Sequence, residues 1–155
     1  MSNTVEIDKE IFQDFANFYG KIYGLPPLAA KIYAFLIFDF EKEGMSFDEL
    51  VEAFSASKSS VSSNLNFLLQ INLIKDFNRI DERKRYFKLN EEYPRIRFGE
   101  VVKKMQTELN ILDRFNQYRK ERGYDFTEKY EIYTSLLKNN IENIENSLKK
   151  LYDEE

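Results

Sequence analysis

The chain has 155 residues, 43% of them hydrophobic, which is enough to bury one core and carry an appended segment. It contains neither cysteine nor histidine, and this excludes disulfides, thiolate metal sites, cysteine nucleophiles and histidine general bases. The sequence also has no nucleophile–base pair, phosphate-binding loop or metal motif. We therefore expect a protein that is not an enzyme and that uses no cofactor.

The sequence contains no candidate membrane segment. Its apolar runs fall short of the about 20 residues that a membrane helix needs. The stretch Met1-Ser-Asn-Thr-Val5 lacks the basic and then apolar pattern of a secretion signal. We expect a soluble cytoplasmic protein with no membrane partner.

The charge of the chain is unevenly distributed. The net charge is −4, but residues 57–90 carry seven cations and three anions, a local charge of +4 that leaves −8 for the rest. Such an asymmetry would turn the positive segment toward a polyanion. An ordinary solvated hairpin is the alternative explanation.

The first two predicted helices are strongly apolar. Residues 4–19 place apolar side chains at helical spacing: Ile7, Ile11, Phe12, Phe15, Phe18 and Tyr19. A second helix is expected to begin at Pro26-Pro27, since proline suits a first helical turn. Residues 28–38 are apolar on nearly every side, which predicts a helix buried at the centre of the domain.

Two shorter helices follow, joined by a tight turn. Ser46-Phe-Asp-Glu49 fits a capping box that opens a helix ending at Phe54, and Ser55-Ala56 would form the turn. Ser57 can cap the next helix, over about residues 58–71. Its inner face would carry Val61, Leu65 and Leu68, and its outer face Ser59, Ser63, Asn66 and Gln70.

A basic hairpin comes next. Residues 73–77 and 86–90 are predicted strands joined by a charged loop, and Asn72 stands where a left-handed residue is expected. A helix with a small, hydroxyl-rich face can enter the major groove, and the hairpin can reach the adjacent backbone or minor groove. The predicted contacts to double-stranded DNA are Ser57, Lys58, Ser59, Ser60, Ser62, Ser63, Asn64, Asn66, Arg79, Arg83, Lys84 and Arg85. A merely polar helix surface is the alternative.

The last third of the chain predicts two long helices. Apolar residues at coiled-coil spacing form one stripe from Phe98 to Leu112 and another from Leu137 to Leu151. Gly123 is expected to end the first helix, and Asp125-Phe-Thr-Glu128 can cap the second. Each stripe must be buried against the other, against the first helix or against a second copy. We expect a homodimer. The predicted fold class is mainly α with a small antiparallel hairpin (α+β), a winged helix-turn-helix in residues 1–92 with long dimerisation helices in residues 93–155.

Three motifs of the chain are distinctive: Tyr19-Gly-Lys-Ile-Tyr-Gly-Leu-Pro-Pro-Leu-Ala-Ala-Lys-Ile-Tyr33, Ser57-Lys-Ser-Ser-Val-Ser-Ser-Asn-Leu65 and Asp81-Glu-Arg-Lys-Arg-Tyr-Phe87. In this order they resemble the GbsR-type branch of the MarR superfamily of winged-helix regulators. The resemblance implies a dimeric transcription factor, expected to be a repressor, on a pseudo-palindromic operator. It also implies that Arg83 reaches the minor groove. The chain departs from the family in the low charge of its recognition helix and in Asn72, where glycine is common.

The same resemblance raises the question of a small-molecule effector. Aromatic residues make up 15% of the chain, and Tyr19, Tyr23 and Tyr33 lie where the family's effector pocket would be. Some relatives sense choline and betaine, whose quaternary ammonium groups suit aromatic cages. Plain core packing is the alternative for these rings. For the whole chain, the alternative function is a winged-helix protein-interaction or assembly module without sequence-specific DNA binding.

Overall fold

The computed structural model of the protein describes residues 5–125 and 127–152. The chain divides into two compact units between Glu91 and Glu92. In the first unit the elements are α1 (Lys9–Ile22), α2 (Pro27–Ile37), β1 (Met45–Ser46), α3 (Phe47–Phe54), α4 (Lys58–Gln70), β2 (Ile74–Asn78) and β3 (Arg85–Leu89). In the second they are α5 (Tyr93–Glu121) and α6 (Glu128–Tyr152).

The first unit is a winged helix-turn-helix. Its three strands form one antiparallel sheet in the order β1-β3-β2, with Asp76 opposite Phe87 and Met45 also opposite Phe87. The predicted fold class, mainly α with a small antiparallel hairpin, is confirmed. The two-residue strand β1 was not predicted, because so short an edge strand carries no periodicity of its own.

Helix α1 begins later and ends later than its apolar pattern predicts. The Asp8 carboxylate caps it by accepting a hydrogen bond from the Ile11 N–H at 3.0 Å. Thr4, where the prediction began, lies outside the described residues. The helix buries Ala16, whereas Ile11, Phe18 and Ile22 stay 48%, 55% and 43% exposed. An apolar face of α1 is therefore exposed among the described residues of the first unit.

Helix α2 is the centre of the first unit, as predicted. It begins directly after Pro26, and Ala29, Ile32 and Ala34 are fully buried. It packs against both α1 and α4. Because α4 packs against the apolar helix α2, this contact determines which face of α4 is buried.

The loop between α2 and β1 is closed by Asp39 and Gly44. The buried Asp39 carboxylate accepts a hydrogen bond from the Gly44 N–H at 2.9 Å. Gly44 has a left-handed φ of 87°, and a Cβ there would lie 2.6 Å from the Phe77 ring. Only glycine fits both the backbone conformation and the space beside β2.

The second unit is a pair of helices that pack against each other. Leu109 of α5 and Leu137 and Ile141 of α6 form its buried core, with Val102, Met105 and Leu112 packed against them. The Tyr130 hydroxyl also donates to the Leu112 carbonyl at 2.6 Å. The two predicted stripes thus cover each other in part within one chain.

The connection between α5 and α6 was partly predicted. Gly123 has a φ of 84° and follows the end of α5, as expected for a glycine after a helix. Within the predicted cap at residues 125–128, Thr127 accepts the Tyr130 N–H at 3.3 Å. Phe126 in the same motif lies outside the described residues.

The second unit exposes a further set of large apolar side chains. Leu151, the last residue of the second predicted stripe, is 54% exposed, so the two stripes do not bury each other completely. On α5 the exposed residues include Ile111, Phe115 and Tyr118, and on α6 Ile132 and Leu136. Within residues 5–125 and 127–152, no helix is long and apolar enough to cross a membrane.

Candidate nucleic-acid interface

Helix α4 presents a small polar face because its opposite face is locked into the core. Val61, Leu65 and Leu68 are at most 1% exposed. They recur at intervals of four and three residues, so they lie on one side of the helix. The other side faces solvent, with exposed Ser59, Ser62, Ser63, Asn66 and Gln70.

The start of α4 is fixed by its cap and by the preceding turn. Ser55 takes a left-handed conformation with φ 47°, which ends α3 and turns the chain toward α4. The Ser57 hydroxyl accepts the Ser60 N–H at 3.2 Å and lies 3.3 Å from the Ser59 hydroxyl. Ser57 therefore works as a helix cap, the local role that the sequence predicts for it alongside DNA contact.

The remaining predicted residues of α4 differ in exposure. Lys58 is exposed in the first turn. Ser60 and Asn64 are half-buried, and the Asn64 amide donates to the Ser60 carbonyl at 2.8 Å. Asn64 thus has an acceptor inside its own helix, and fewer of its polar groups face outward.

Most of the outer-face residues of α4 line a shallow depression of about 590 Å³. It is lined by Pro26, Ser59, Ser62, Ser63, Asn64, Asn66, Phe67 and Gln70. Five of these eight are predicted DNA contacts. Pro26 and Phe67 were not among the predicted contacts. Pro26 lies just before α2, 33 residues before Ser59, and no periodicity in the sequence links Pro26 with Ser59.

The hairpin β2–β3 forms the wing, and part of its charge is used to hold it together. The Arg79 guanidinium lies over the Tyr86 ring, 4.0 Å from the centroid, and donates to the Glu43 carbonyl at 3.0 Å. Arg85 pairs with Asp76 at 2.7 Å. Both arginines were predicted to contact DNA, and both have partners inside the wing and the neighbouring loop.

Glu82 and Tyr86 add a second brace. The Tyr86 hydroxyl donates to Glu82 Oε2 at 2.5 Å. This hydrogen bond to a carboxylate, together with desolvation, raises the pKa of the Tyr86 hydroxyl above its ordinary value. The residue before the basic tip is thus anchored to the stem of the wing.

Arg83 and Lys84 are left facing outward. Both are exposed, and among the residues that the structure describes neither side chain forms an ion pair. Their backbone carbonyls accept from the Asn78 amide at 3.5 and 3.0 Å, which ties the backbone of the tip to β2. The outward cations therefore stand on a braced backbone.

The three tyrosines proposed as effector ligands pack against one another. The Tyr19 and Tyr23 rings stack with centroids 5.4 Å apart, and the Tyr33 ring meets Tyr19 edge-on at 5.2 Å. Tyr33 is only 8% exposed. This cluster packs α1 on α2, and its geometry favours the core-packing interpretation over a cage. In the described part of the chain, no group of three or more carboxylates could hold a metal ion.

Comparisons with known proteins bear on the fold. No family model and no curated protein matches the chain. A solved structure described as the crystal structure of a transcriptional regulator covers 94% of this chain and 97% of its own, with a TM-score of 0.54 and 21% identity. The crystal structure of a point mutant of MepR, from a multidrug-resistant S. aureus clinical isolate, covers 93% and 99%, with a TM-score of 0.42 and 15% identity. The chain shares its fold with the first of these structures.

Proposed function

We propose that this protein is a transcriptional regulator that binds double-stranded DNA as a homodimer, with α4 in the major groove and the β2–β3 hairpin beside it. The observation that carries the proposal is the outer face of α4. Its exposed positions hold serine, asparagine and glutamine, and residues 57–70 contain no carboxylate to repel phosphates. Small hydroxyls and amides can meet base edges and phosphates without blocking groove entry.

The tip of the wing supplies the positive charge. Arg83 and Lys84 project from it, and arginine is favoured by the negative potential of a narrow minor groove. Arg79 and Arg85 would act mainly by keeping the wing in shape. This division refines the prediction that all four side chains contact DNA.

The exposed apolar faces support the homodimer. Phe115 and its neighbours on α5 and the Ile11 face of α1 are large and solvent-exposed in one chain. Covering them with a second copy would remove this apolar surface from water. A two-fold dimer would read a pseudo-palindromic site with half-sites about one helical turn apart.

The three sequence motifs suggest the GbsR-type branch of the MarR superfamily. The fold shared with a solved transcriptional regulator supports the broader proposal of a regulator. As a member of that branch, the protein would be a cytoplasmic repressor. A small-molecule effector acting at Tyr19, Tyr23 and Tyr33 would require the ring cluster to open.

One observation favours a second function, that of a protein-interaction module. The apolar surface of α5 and α6 could receive a different protein instead of a second copy. In that case the polar face of α4 and the charges of the wing would be dispensable.

Selection of duplexes from a random pool by the full chain tests the proposal. We expect enrichment of a pseudo-palindrome, bound more tightly by the wild type than by Ser63→Leu, while Ser147→Leu, at an exposed serine of α6, leaves binding unchanged. A pool that enriches no sequence, with both variants behaving like the wild type, would favour the interaction module.

A further inference from the structure

The outermost corner of the wing is apolar. Ile80 is 91% exposed, the highest value among the large exposed apolar residues of the described chain. It stands between Arg79 and Asp81, two residues before Glu82. Single exposed apolar residues are common on proteins, so its exposure alone indicates nothing. Its position in the wing is what distinguishes it.

Ile80 occupies the corner of a tight turn. The Glu82 N–H donates to the Arg79 carbonyl at 3.1 Å, and Asp81, the third residue of the turn, has a left-handed φ of 68°. Ile80 is the second residue of this turn. At 91% exposure, its side chain points into solvent at the end of the hairpin.

Neither folding nor turn formation explains an isoleucine at this corner. Turn positions favour glycine, proline, asparagine, aspartate and serine, and a β-branched apolar residue has none of their advantages. At 91% exposure its side chain also contributes almost nothing to the core. The turn around Ile80 is held by its neighbours: Arg79 stacks on the Tyr86 ring, and the Tyr86 hydroxyl donates a hydrogen bond to Glu82.

We propose that Ile80 is an apolar wedge that enters the minor groove of the bound duplex beside Arg83 and contacts the deoxyribose walls. The inference rests on the proposed function and extends it to a contact that depends on shape. Proteins that bind the minor groove often insert isoleucine, leucine or proline there. Because the turn is braced, the wedge keeps its direction on approach.

The test is a graded series, Ile80→Val, Ile80→Ala and Ile80→Ser, in the full-length protein on its selected duplex. Ile80→Ala weakens binding about fivefold at every salt concentration, with serine weaker still and valine close to the wild type. The slope of log Kd against log salt stays unchanged, because no charge is lost. Phe40→Ala, which removes another highly exposed apolar side chain in the same unit, leaves the affinity as it was.

A second duplex locates the contact in the groove. Placing G·C pairs under the wing puts the guanine amino group into the minor groove. On that duplex the wild type and Ile80→Ala bind equally, because the guanine amino groups keep the Ile80 side chain out of the minor groove and its truncation then removes no contact. If the two differ by the same factor on both duplexes, the contact is not in the minor groove and the inference is wrong.

Two other outcomes separate the inference from the function. If the wild type binds the duplex with a steep salt dependence and Ile80→Ala matches it throughout, the wedge is refuted and the DNA-binding function stands. If the wild type binds no duplex, both are refuted. Thermal unfolding of each variant, expected to match the wild type, excludes a folding defect.

Discussion

The guanidinium of Arg79 lies 4.0 Å from the centroid of the Tyr86 ring and also donates to the Glu43 carbonyl at 3.0 Å. One side chain thus ties the wing to the loop between α2 and β1. A residue that the sequence marks as a DNA contact has a structural task that its charge alone does not reveal.

Replacing Arg79 by alanine should therefore lower stability as well as DNA affinity. The loss of the cation–π contact and the hydrogen bond should cost about 1 kcal/mol in the free energy of unfolding. Urea unfolding measures it. Lys84→Ala is the matched control, because it removes a cation of the same loop that has no ion pair among the described residues, and it should unfold like the wild type.

Alkaline pH should weaken the brace between Tyr86 and Glu82. The pKa of Tyr86 is raised in the folded state by its hydrogen bond to the Glu82 carboxylate, whereas the unfolded chain titrates near 10.0. The stabilisation is therefore complete below about pH 10 and is lost as pH rises through the folded pKa. Urea unfolding between pH 8 and pH 11 should show a steeper loss for the wild type than for Tyr86→Phe. Glu82→Gln should fall between the wild type and Tyr86→Phe, because desolvation still raises the pKa of its Tyr86. A slope equal to the wild type in both variants would refute the brace.

Gly44→Ala should destabilise the first unit more than Gly24→Ala. Both glycines have a left-handed φ, 87° and 61°, so both substitutions incur backbone strain of about 1 kcal/mol. Only at Gly44 would the new Cβ also lie 2.6 Å from the Phe77 ring, whereas nothing lies within 4 Å at Gly24. Thermal unfolding should show a further loss of about 1–3 kcal/mol at Gly44. Equal losses at the two positions would contradict the close approach of Phe77.

The dimer should depend on the exposed face of α5. Phe115→Glu places a charge in the surface that we expect a second copy to cover, and it should give a monomer with weakened operator binding. Gln117→Glu, an equally charged change at an exposed polar position of the same helix, is the control. Sedimentation at micromolar concentration distinguishes them, and a wild type that is itself a monomer would end the dimer proposal.

Wing and recognition helix should contribute differently to DNA binding. Arg83→Ala should weaken binding to many duplexes and reduce the salt slope by about one unit. Ser59→Leu should instead reduce preference for the best site more than background affinity, because base contacts specify and backbone contacts position. Lys129→Ala on α6 serves as a control for lost charge. Arg83→Ala with unchanged affinity and slope, in a folded protein, would make the wing assignment wrong.

Sequence predicted best what depends on near neighbours. Ser57 caps α4 and Asn72 adopts a φ of 63°, both as expected, because a cap and a left-handed residue are determined within a few positions. The partners of Arg79 could not be foreseen, since Glu43 lies 36 residues away. The uncovered face of α1 also escaped prediction: its apolar residues surround much of the helix, so spacing alone does not say which of them α2 covers.

The wing strands show the same limit at a finer scale. They were predicted at residues 73–77 and 86–90 and lie at Ile74–Asn78 and Arg85–Leu89. The Asn90 N–H still donates to the Leu73 carbonyl at 3.0 Å, beyond the last paired residues. Apolar alternation finds the strands, whereas the pairing at their ends depends on contacts between the strands.

Titrating the full-length protein onto its selected duplex across a range of salt concentrations tests the central claim most directly. We expect affinity to fall about a thousandfold between about 50 and 200 mM salt, because the free energy gained by releasing counterions from the phosphates decreases as the salt concentration rises. The single strand of the same sequence should bind far more weakly. Binding that does not change with salt, or that is equally tight to the single strand, would contradict the claim that α4 and the wing bind duplex DNA.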